Sequence, residues 1–341
     1  MEPSLERHRR HCVLPEFGED GQRRVAASSV VVFGCGALGG AAAMLLARAG
    51  VGRLVVVDRD LPERVNLHRQ VLFDEADVDA SLPKAEAAAR KLRSANADIA
   101  VEGVVADVDR TNVEALARDA TLVVDGADNF ELRLLANEAC VRHAIPWVHG
   151  AVAGTYGVQW TVLPGRTACF SCLVEDAPPA GSVPTCEAAG VFSPTVLAVA
   201  SLQAAEALKV ITGNAHRVRR TLLSFDLWTG ERAEVEVARS PACPVCAQGR
   251  FDHLEGRKGS RTTVLCGGDQ VQVSAGPGAR PGLDEVAARL PADANARRSP
   301  YLLRFCADGL EVALFPDGRA IVRGTTDPAR ARAVLAKHVG T

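Results

Sequence analysis

Aromatic side chains are scarce. Phe, Trp and Tyr make up 4% of the 341 residues, so the core must be built mainly from Ala, Val and Leu, for which a hydrophobic content of 48% leaves ample material. An excess of one charge is also missing. The formal net charge is −2, which gives nucleic acid and anionic membranes no electrostatic hold, and neither is expected as a partner. No apolar leader is visible: Met1 to Arg10 is polar and basic, with no hydrophobic run behind it, and a cytoplasmic protein is expected. The longest apolar stretch, Val191 to Thr212, carries Glu206 and Lys209 and is expected to be a buried helix rather than a membrane span. Cysteine, by contrast, is plentiful. Ten are present, and without a leader they point to metal binding or thiol chemistry rather than a disulfide framework.

The length allows one large domain or two unequal ones. Apolar strands are expected at 29–33, 54–58, 99–105, 121–125 and 146–149, with helices at 37–49, 83–94, 111–118 and 130–142 between them. This alternation predicts a Rossmann-like, doubly wound α/β fold with a mostly parallel sheet. Strands near 157–163, 221–225 and 232–238 read as an antiparallel extension. Glu175 to Gly190 is rich in Pro, Ala and Gly and reads as a loop, after which Ser193-Pro194 opens a long apolar helix. Composition shifts near Arg250. The expected division is a first domain over 1–250, a linker over 251–262 and a small α+β domain over 263–341. In that last part, Asp308-Gly309 and Asp317-Gly318 are turn dipeptides, and Asp327-Pro328 starts a helix.

The strand Val30-Val31-Val32-Phe33 stops at Gly34-Cys35-Gly36-Ala37-Leu38-Gly39, and an Ala-rich helix follows at once. About 20 residues after the turn, Asp58 closes the next strand, as in nucleotide-binding βαβ units. The turn alone does not say which nucleotide. Other strand ends add Asp58-Arg59-Asp60, Asn66-Leu67-His68-Arg69-Gln70, Pro83-Lys84 and Asp125-Gly126-Ala127-Asp128-Asn129. Arg69 and Lys84 suit the β and γ phosphates of a triphosphate, and Asp128 suits Mg²⁺. A nicotinamide site needs neither the cation pair nor the metal ligand. Taken singly, Arg69 could be a surface cation, Lys84 a helix-start residue and Asp128 an N-cap.

Two Cys-x-x-Cys pairs, Cys169/Cys172 and Cys243/Cys246, suit a closed, structural Cys₄ zinc site. Cys186 lies in the Pro/Ala/Gly-rich loop, where a thiol can serve as a nucleophile or have no role. Cys12, Cys35, Cys140, Cys266 and Cys306 are expected to be small buried hydrophobes or incidental, and His149 a core residue rather than a site residue.

These segments, with Arg7-His8-Arg9-Arg10-His11 and Cys169-Phe170-Ser171-Cys172, resemble the ThiF/MoeB/HesA family over about residues 5 to 248. Its members are bacterial relatives of the ubiquitin-activating enzymes. The resemblance implies ATP-dependent adenylation of the C-terminal glycine of a ubiquitin-like sulfur-carrier protein ending in Gly-Gly. Such carriers serve thiamin, molybdopterin or thiolated-tRNA synthesis. It implies that Gly34, Gly36, Ala37 and Gly39 border the nucleotide and that Asp58 meets the ribose. Asn66, Arg69 and Lys84 would meet the phosphates, and Asp128, with Asn129 beside it, would organise Mg²⁺. In a homodimer, Arg10 would reach the γ phosphate in the neighbouring subunit. Cys186 would take part in sulfur transfer from a donor such as a cysteine desulfurase or a separate rhodanese. Ala37 departs from the glycine of many members, which a helical position tolerates. The C-terminal part lies outside the resemblance. Its Cys306 is expected mid-strand, unlike the reactive cysteine of a rhodanese, and the chain ends in Gly340-Thr341 rather than Gly-Gly. Rival readings are an NAD(P)-dependent oxidoreductase, a tRNA-modifying dehydratase of the same superfamily, and a non-catalytic scaffold.

Overall fold

The computed structural model describes residues 5–177, 189–258, 263–264, 270–273 and 282–339. They belong to two compact units, 1–258 and 259–341.

The first unit is built on an eight-stranded sheet: β1 (Ser29–Phe33), β2 (Arg53–Asp58), β3 (Ala100–Val105), β4 (Leu122–Asp125), β5 (Trp147–Ala153), β6 (Tyr156–Val162), β7 (Thr221–Asp226) and β8 (Arg232–Glu236). Their spatial order is β3-β2-β1-β4-β5-β6-β7-β8. The first five run parallel and the last three add antiparallel pairings, so the mostly parallel sheet with an antiparallel extension is what forms. Chain order reverses direction between β1 and β4, which opens a crevice beyond their carboxyl ends.

Alternation along the strands feeds two cores. Val30, Val32, Leu54 and Val56 pack on one face with Ala42, Leu46, Ala88 and Ala200. Val31, Phe33, Val55 and Val57 pack on the other with Leu134, Trp147 and Phe170. Helices α1 (Arg9–Cys12) and α2 (Gly18–Ala26) precede the sheet. Helix α3 (Ala37–Ala49) follows β1 and ends on Gly50 at φ 89°, a left-handed cap that glycine adopts without strain. Short α4 (Glu75–Asp79), α5 (Lys84–Ala95), α6 (Val113–Ala117) and α7 (Phe130–Arg142) complete the crossovers. The long α8 (Ser193–Ile211) carries Pro194 in its first turn. It is long and apolar enough to cross a membrane, yet Val196, Val199, Ala200, Ala204 and Ala207 are buried in the core beside α3.

Residues 251–258, expected to open a linker, instead pack onto α7. The buried Glu138 carboxylate accepts the backbone N–H groups of His253 (3.1 Å) and Leu254 (2.9 Å), and Arg142 stacks over the Phe251 ring at 4.3 Å.

The second unit is a six-stranded antiparallel sheet in the order β11-β12-β13-β14-β10-β9. Its strands are β9 (Thr263–Val264), β10 (Gln270–Val273), β11 (Arg297–Arg298), β12 (Leu303–Ala307), β13 (Leu310–Leu314) and β14 (Ala320–Arg323), with helices α9 (Leu283–Arg289) and α10 (Pro328–His338). Asp308 and Gly309 both take positive φ, 50° and 75°, which makes the tight turn from β12 to β13. Asp327 caps α10 by accepting the Ala329 N–H at 2.8 Å. Cys306 is exposed rather than buried, because strand alternation turns it away from the core that holds Phe305. Cys12 is half-buried, and Cys266 lies outside the described residues.

Candidate functional site

The glycine turn closes the crevice between β1 and β4. Gly34 adopts φ 84°, and a Cβ built on it would lie 2.4 Å from Gly126 O. On Gly39 a Cβ would lie 1.9 Å from Gly34 O, and on Gly126 2.2 Å from the same oxygen. Three backbones therefore touch where no side chain fits. Gly36 is different: its Cβ would meet only Gln70 Nε2, at 3.7 Å. This is the glycine that leaves room for a ligand. It is also the N-cap of α3, where free N–H groups and the helix dipole favour an anion. Ala37 is the first residue of α3, so its methyl is accommodated.

Asp58 is 8% exposed. Its carboxylate accepts the Cys35 N–H and the Asp60 N–H, both at 2.7 Å, and so shapes the turn from below. A carboxylate has about four acceptor positions, which leaves capacity for a hydroxyl. Lys84 opens α5 and is buried, with Nζ 3.2 Å from Asp60 Oδ2. Burial works against its charge, but Asp60, Asp58 and Asp128 outweigh that and push its pKa above the ordinary lysine value. It stays a cation. Burial likewise opposes the charge of Arg59, which Asp60, Asp107 and Asp128 restore; its guanidinium meets Asp107 at 2.9 Å. Arg69 Nη2 donates to Asn66 Oδ1 at 2.5 Å. The segment is tied to the start of α8 by Ser193 Oγ, which donates to His68 O at 2.7 Å.

Beyond β4, Asp128 is exposed, and Asn129 Nδ2 donates to its Oδ1 at 3.0 Å. Asn129 also caps α7 by accepting the Leu132 N–H at 2.9 Å. The structure therefore brings Asp58, Lys84 and Asp128 into electrostatic contact and sets Gln70, the chain neighbour of Arg69, beside the open glycine. Arg10 is not among them. It is exposed on α1, and neighbouring His8 lies against Gly50, at the far end of α3, about 20 Å along the helix from the turn. Cys186 lies outside the described residues.

Two participants had no role assigned from sequence. Asp60, in the strand-end segment, pairs with Lys84, and Asp107, which carried no signal, pairs with Arg59. His149 is a core residue as expected, but its Nδ1 lies 2.5 Å from Asp125 Oδ2. Burial holds its pKa below the ordinary histidine value, although Asp125 opposes this. The one hint was its place at a strand end.

Cys169, Cys172, Cys243 and Cys246 converge, with all four Sγ atoms within 4.8 Å of one another. Sγ separations of 4.0, 3.6 and 3.5 Å are recorded for the 169/172, 169/243 and 172/246 pairs. Tetrahedral Zn–S bonds of about 2.3 Å place sulfurs about 3.8 Å apart, so the donor set fits zinc. Two distant turns meet there: Phe170 N–H donates to Asn137 Oδ1 of α7 at 2.8 Å, and Cys243 is buried in the same core.

Fold and site together define a Rossmann-type protein whose glycine turn suits a phosphate group and whose four clustered cysteines fit zinc. Residues 8–245 match the ThiF family, and the chain belongs to that family. It is 42% identical over 337 residues to the sulfur carrier protein ThiS adenylyltransferase of Bacillus subtilis (strain 168), covering 98% of this chain and 99% of that relative. It is 41% identical over 251 residues to the SAMP-activating enzyme E1 of Haloferax volcanii, covering 74% of this chain and 92% of that protein. Among solved structures, E. coli MccB with ATP superposes with a TM-score of 0.59 at 26% identity, covering 67% of this chain and 69% of that one.

Proposed function

We propose that this chain is an ATP-dependent adenylyltransferase that activates the C-terminal glycine of a ThiS-like, ubiquitin-like sulfur carrier. The observation that carries this reading is near full-length similarity to a ThiS adenylyltransferase in a chain whose buried cation Lys84 acts on Asp58 beneath an open glycine turn.

The carrier's terminal carboxylate attacks the α phosphorus of ATP. The new bond is O–Pα, the bond broken joins Pα to the bridging oxygen of the β phosphate, and pyrophosphate leaves. The attacking carboxylate is already ionised, so no general base is needed. Two anions must meet, and catalysis is chiefly charge compensation. Arg69 and Lys84 offset phosphate charge, Asn66 orients Arg69, and the α3 N-terminus at Gly36 supplies N–H donors. Asp58 is placed to meet the ribose. Asp128 would hold Mg²⁺, which would supply charge neutralisation of the phosphates. Arg10 acts across a homodimer on the γ phosphate bound by the neighbouring subunit; its distance from its own chain's turn favours this arrangement. Cys186 takes part in sulfur transfer from a desulfurase or rhodanese donor. The reaction belongs in the cytoplasm, where ATP is available and thiols stay reduced.

Pyrophosphate exchange tests this. It is expected to need ATP, Mg²⁺ and a carrier ending in Gly-Gly. Exchange that persists in Asp128→Ala refutes the metal role, and reduction of NAD by any substrate overturns the reading. In Cys186→Ala, unchanged exchange and unchanged carrier thiocarboxylate would together rule out the thiol.

A further inference from the structure

We infer that a buried network of Asp125, Arg133 and His149, backed by Phe170, positions the Asp128 carboxylate for its cation. The inference rests on the metal role proposed for Asp128.

Asp128 is exposed, and among the described residues its carboxylate has one hydrogen bond, from its neighbour Asn129. Its direction is therefore left to the loop backbone, and that backbone is gripped just before it. The Ala127 N–H donates to Asp125 Oδ1 at 2.8 Å. The Ala127 carbonyl, in the peptide leading into Asp128, accepts from Arg133 Nη2 at 2.8 Å. Asp125 is in turn fixed from several directions. It is 1% exposed, with Arg133 Nε 3.4 Å from its Oδ2 and His149 Nδ1 at 2.5 Å.

The far side of His149 is closed by rings. Phe170 meets it edge-on at 5.2 Å between centroids, and Trp147 lies at 5.3 Å. Phe170 sits between Cys169 and Cys172, so the imidazole is braced against the four-cysteine knuckle. Buried ionic groups are weak contributors to stability, because desolvation offsets their attraction. Here they define the geometry of one peptide. Arg133 and His149 are thus positioning residues. Partners hydrogen-bonded directly to a metal ligand typically affect metal affinity about 10–100-fold; Arg133 acts through the peptide before Asp128 and His149 through Asp125, so an effect near the lower end of that range is expected.

The test uses the full chain with Mn²⁺ in place of Mg²⁺ and an ATP analogue carrying a methylene between the α and β phosphorus atoms. Mn²⁺ binding is read by electron paramagnetic resonance, alongside melting temperature and zinc content. His149→Leu and Arg133→Lys are each expected to weaken Mn²⁺ binding about tenfold or more with zinc retained. Lysine keeps the charge of Arg133 but brings one nitrogen, which cannot reach both Ala127 O and Asp125. His149→Asn, whose amide nitrogen falls where Nδ1 stands, is expected to recover most of the affinity. Should His149→Leu fail to fold, Arg133→Lys decides. Affinity within about twofold of wild type in these variants, or no recovery with asparagine, overturns the inference. Asp128→Ala separates the two readings. If it binds Mn²⁺ normally, the metal role of Asp128 falls. If it loses Mn²⁺ while the network variants bind normally, only the positioning inference falls.

Discussion

Gly39 and Gly40 are adjacent in the first turn of α3, both buried, yet alanine should be tolerated at Gly40 and damaging at Gly39. Each change gains about 1 kcal/mol of helix propensity. At Gly40 the new methyl meets Leu72 Cβ at 3.3 Å and Cys35 O at 3.5 Å. The Leu72 side chain can yield by a few tenths of an ångström, at a cost below about 1 kcal/mol, so Gly40→Ala should lie within about 0.5 kcal/mol of wild type. At Gly39 the methyl would lie 1.9 Å from Gly34 O and 3.0 Å from Val32 Cγ1. Carbon–oxygen contacts close no nearer than about 3.3 Å, so the backbones must part by about 1.4 Å. Gly34 cannot retreat, because it is itself packed against Gly126. Overpacking against backbone costs about 3 kcal/mol, leaving a net loss of about 2 after the propensity gain. For a unit of this size that lowers the melting temperature by about 4–8 °C. Thermal denaturation of both variants, with ATP binding measured alongside, checks this. A Gly39→Ala protein melting within about 1 °C of wild type, or Gly40→Ala equally damaged, refutes the packing account of this turn.

Chelation of the metal, or Cys246→Ser, should strip zinc and destabilise the first unit by several kcal/mol, at least about 10 °C in melting temperature; a stable, zinc-free unit contradicts the structural role. Arg10→Ala and Asp128→Ala should each abolish exchange, while mixed subunits should recover about a quarter of wild-type activity, because half the dimers then hold one intact site. No recovery on mixing places Arg10 in its own chain's site or outside catalysis. Burial lowers the His149 pKa below its ordinary 6.5, so the folded ring stays neutral as pH falls through that value while the unfolded chain takes up a proton. Stability should then decline below about pH 6.5, by at most about 1.4 kcal/mol per pH unit from this group, and the decline should be shallower in His149→Asn. Denaturant midpoints between pH 5.5 and 7.5 give the comparison, and an unchanged slope in the variant removes His149 as the cause.

Local patterns made much of this protein legible. Val30 to Phe33 announced a strand, the glycine run its end, and Ala41 to Ala49 a helix, because strand alternation, left-handed turns and helix propensity are short-range properties. The paired cysteines announced their own site, since each Cys-x-x-Cys pair brings two thiolates to one turn. Short-range signals also misled. The polar composition of 251–258 read as a linker, although the ligand of its backbone N–H groups, Glu138, lies far upstream. For Cys306, read as buried or incidental, the strand register decides for the surface by turning it outward.

By itself the sequence determined that strands and helices alternate, that a phosphate-type turn follows the first strand, and that cations, an acid and four thiols are available. Only the tertiary structure divided the glycines by purpose, with Gly34 and Gly39 packed by their own chain's backbone and Gly36 left open. It also placed Arg10 at the opposite end of α3 and joined Asp125 to His149 and Arg133. The physical reason is range. Propensity and spacing act over a few residues, whereas which backbone may touch which, and which buried charge meets its partner, depends on how distant strands close around one crevice.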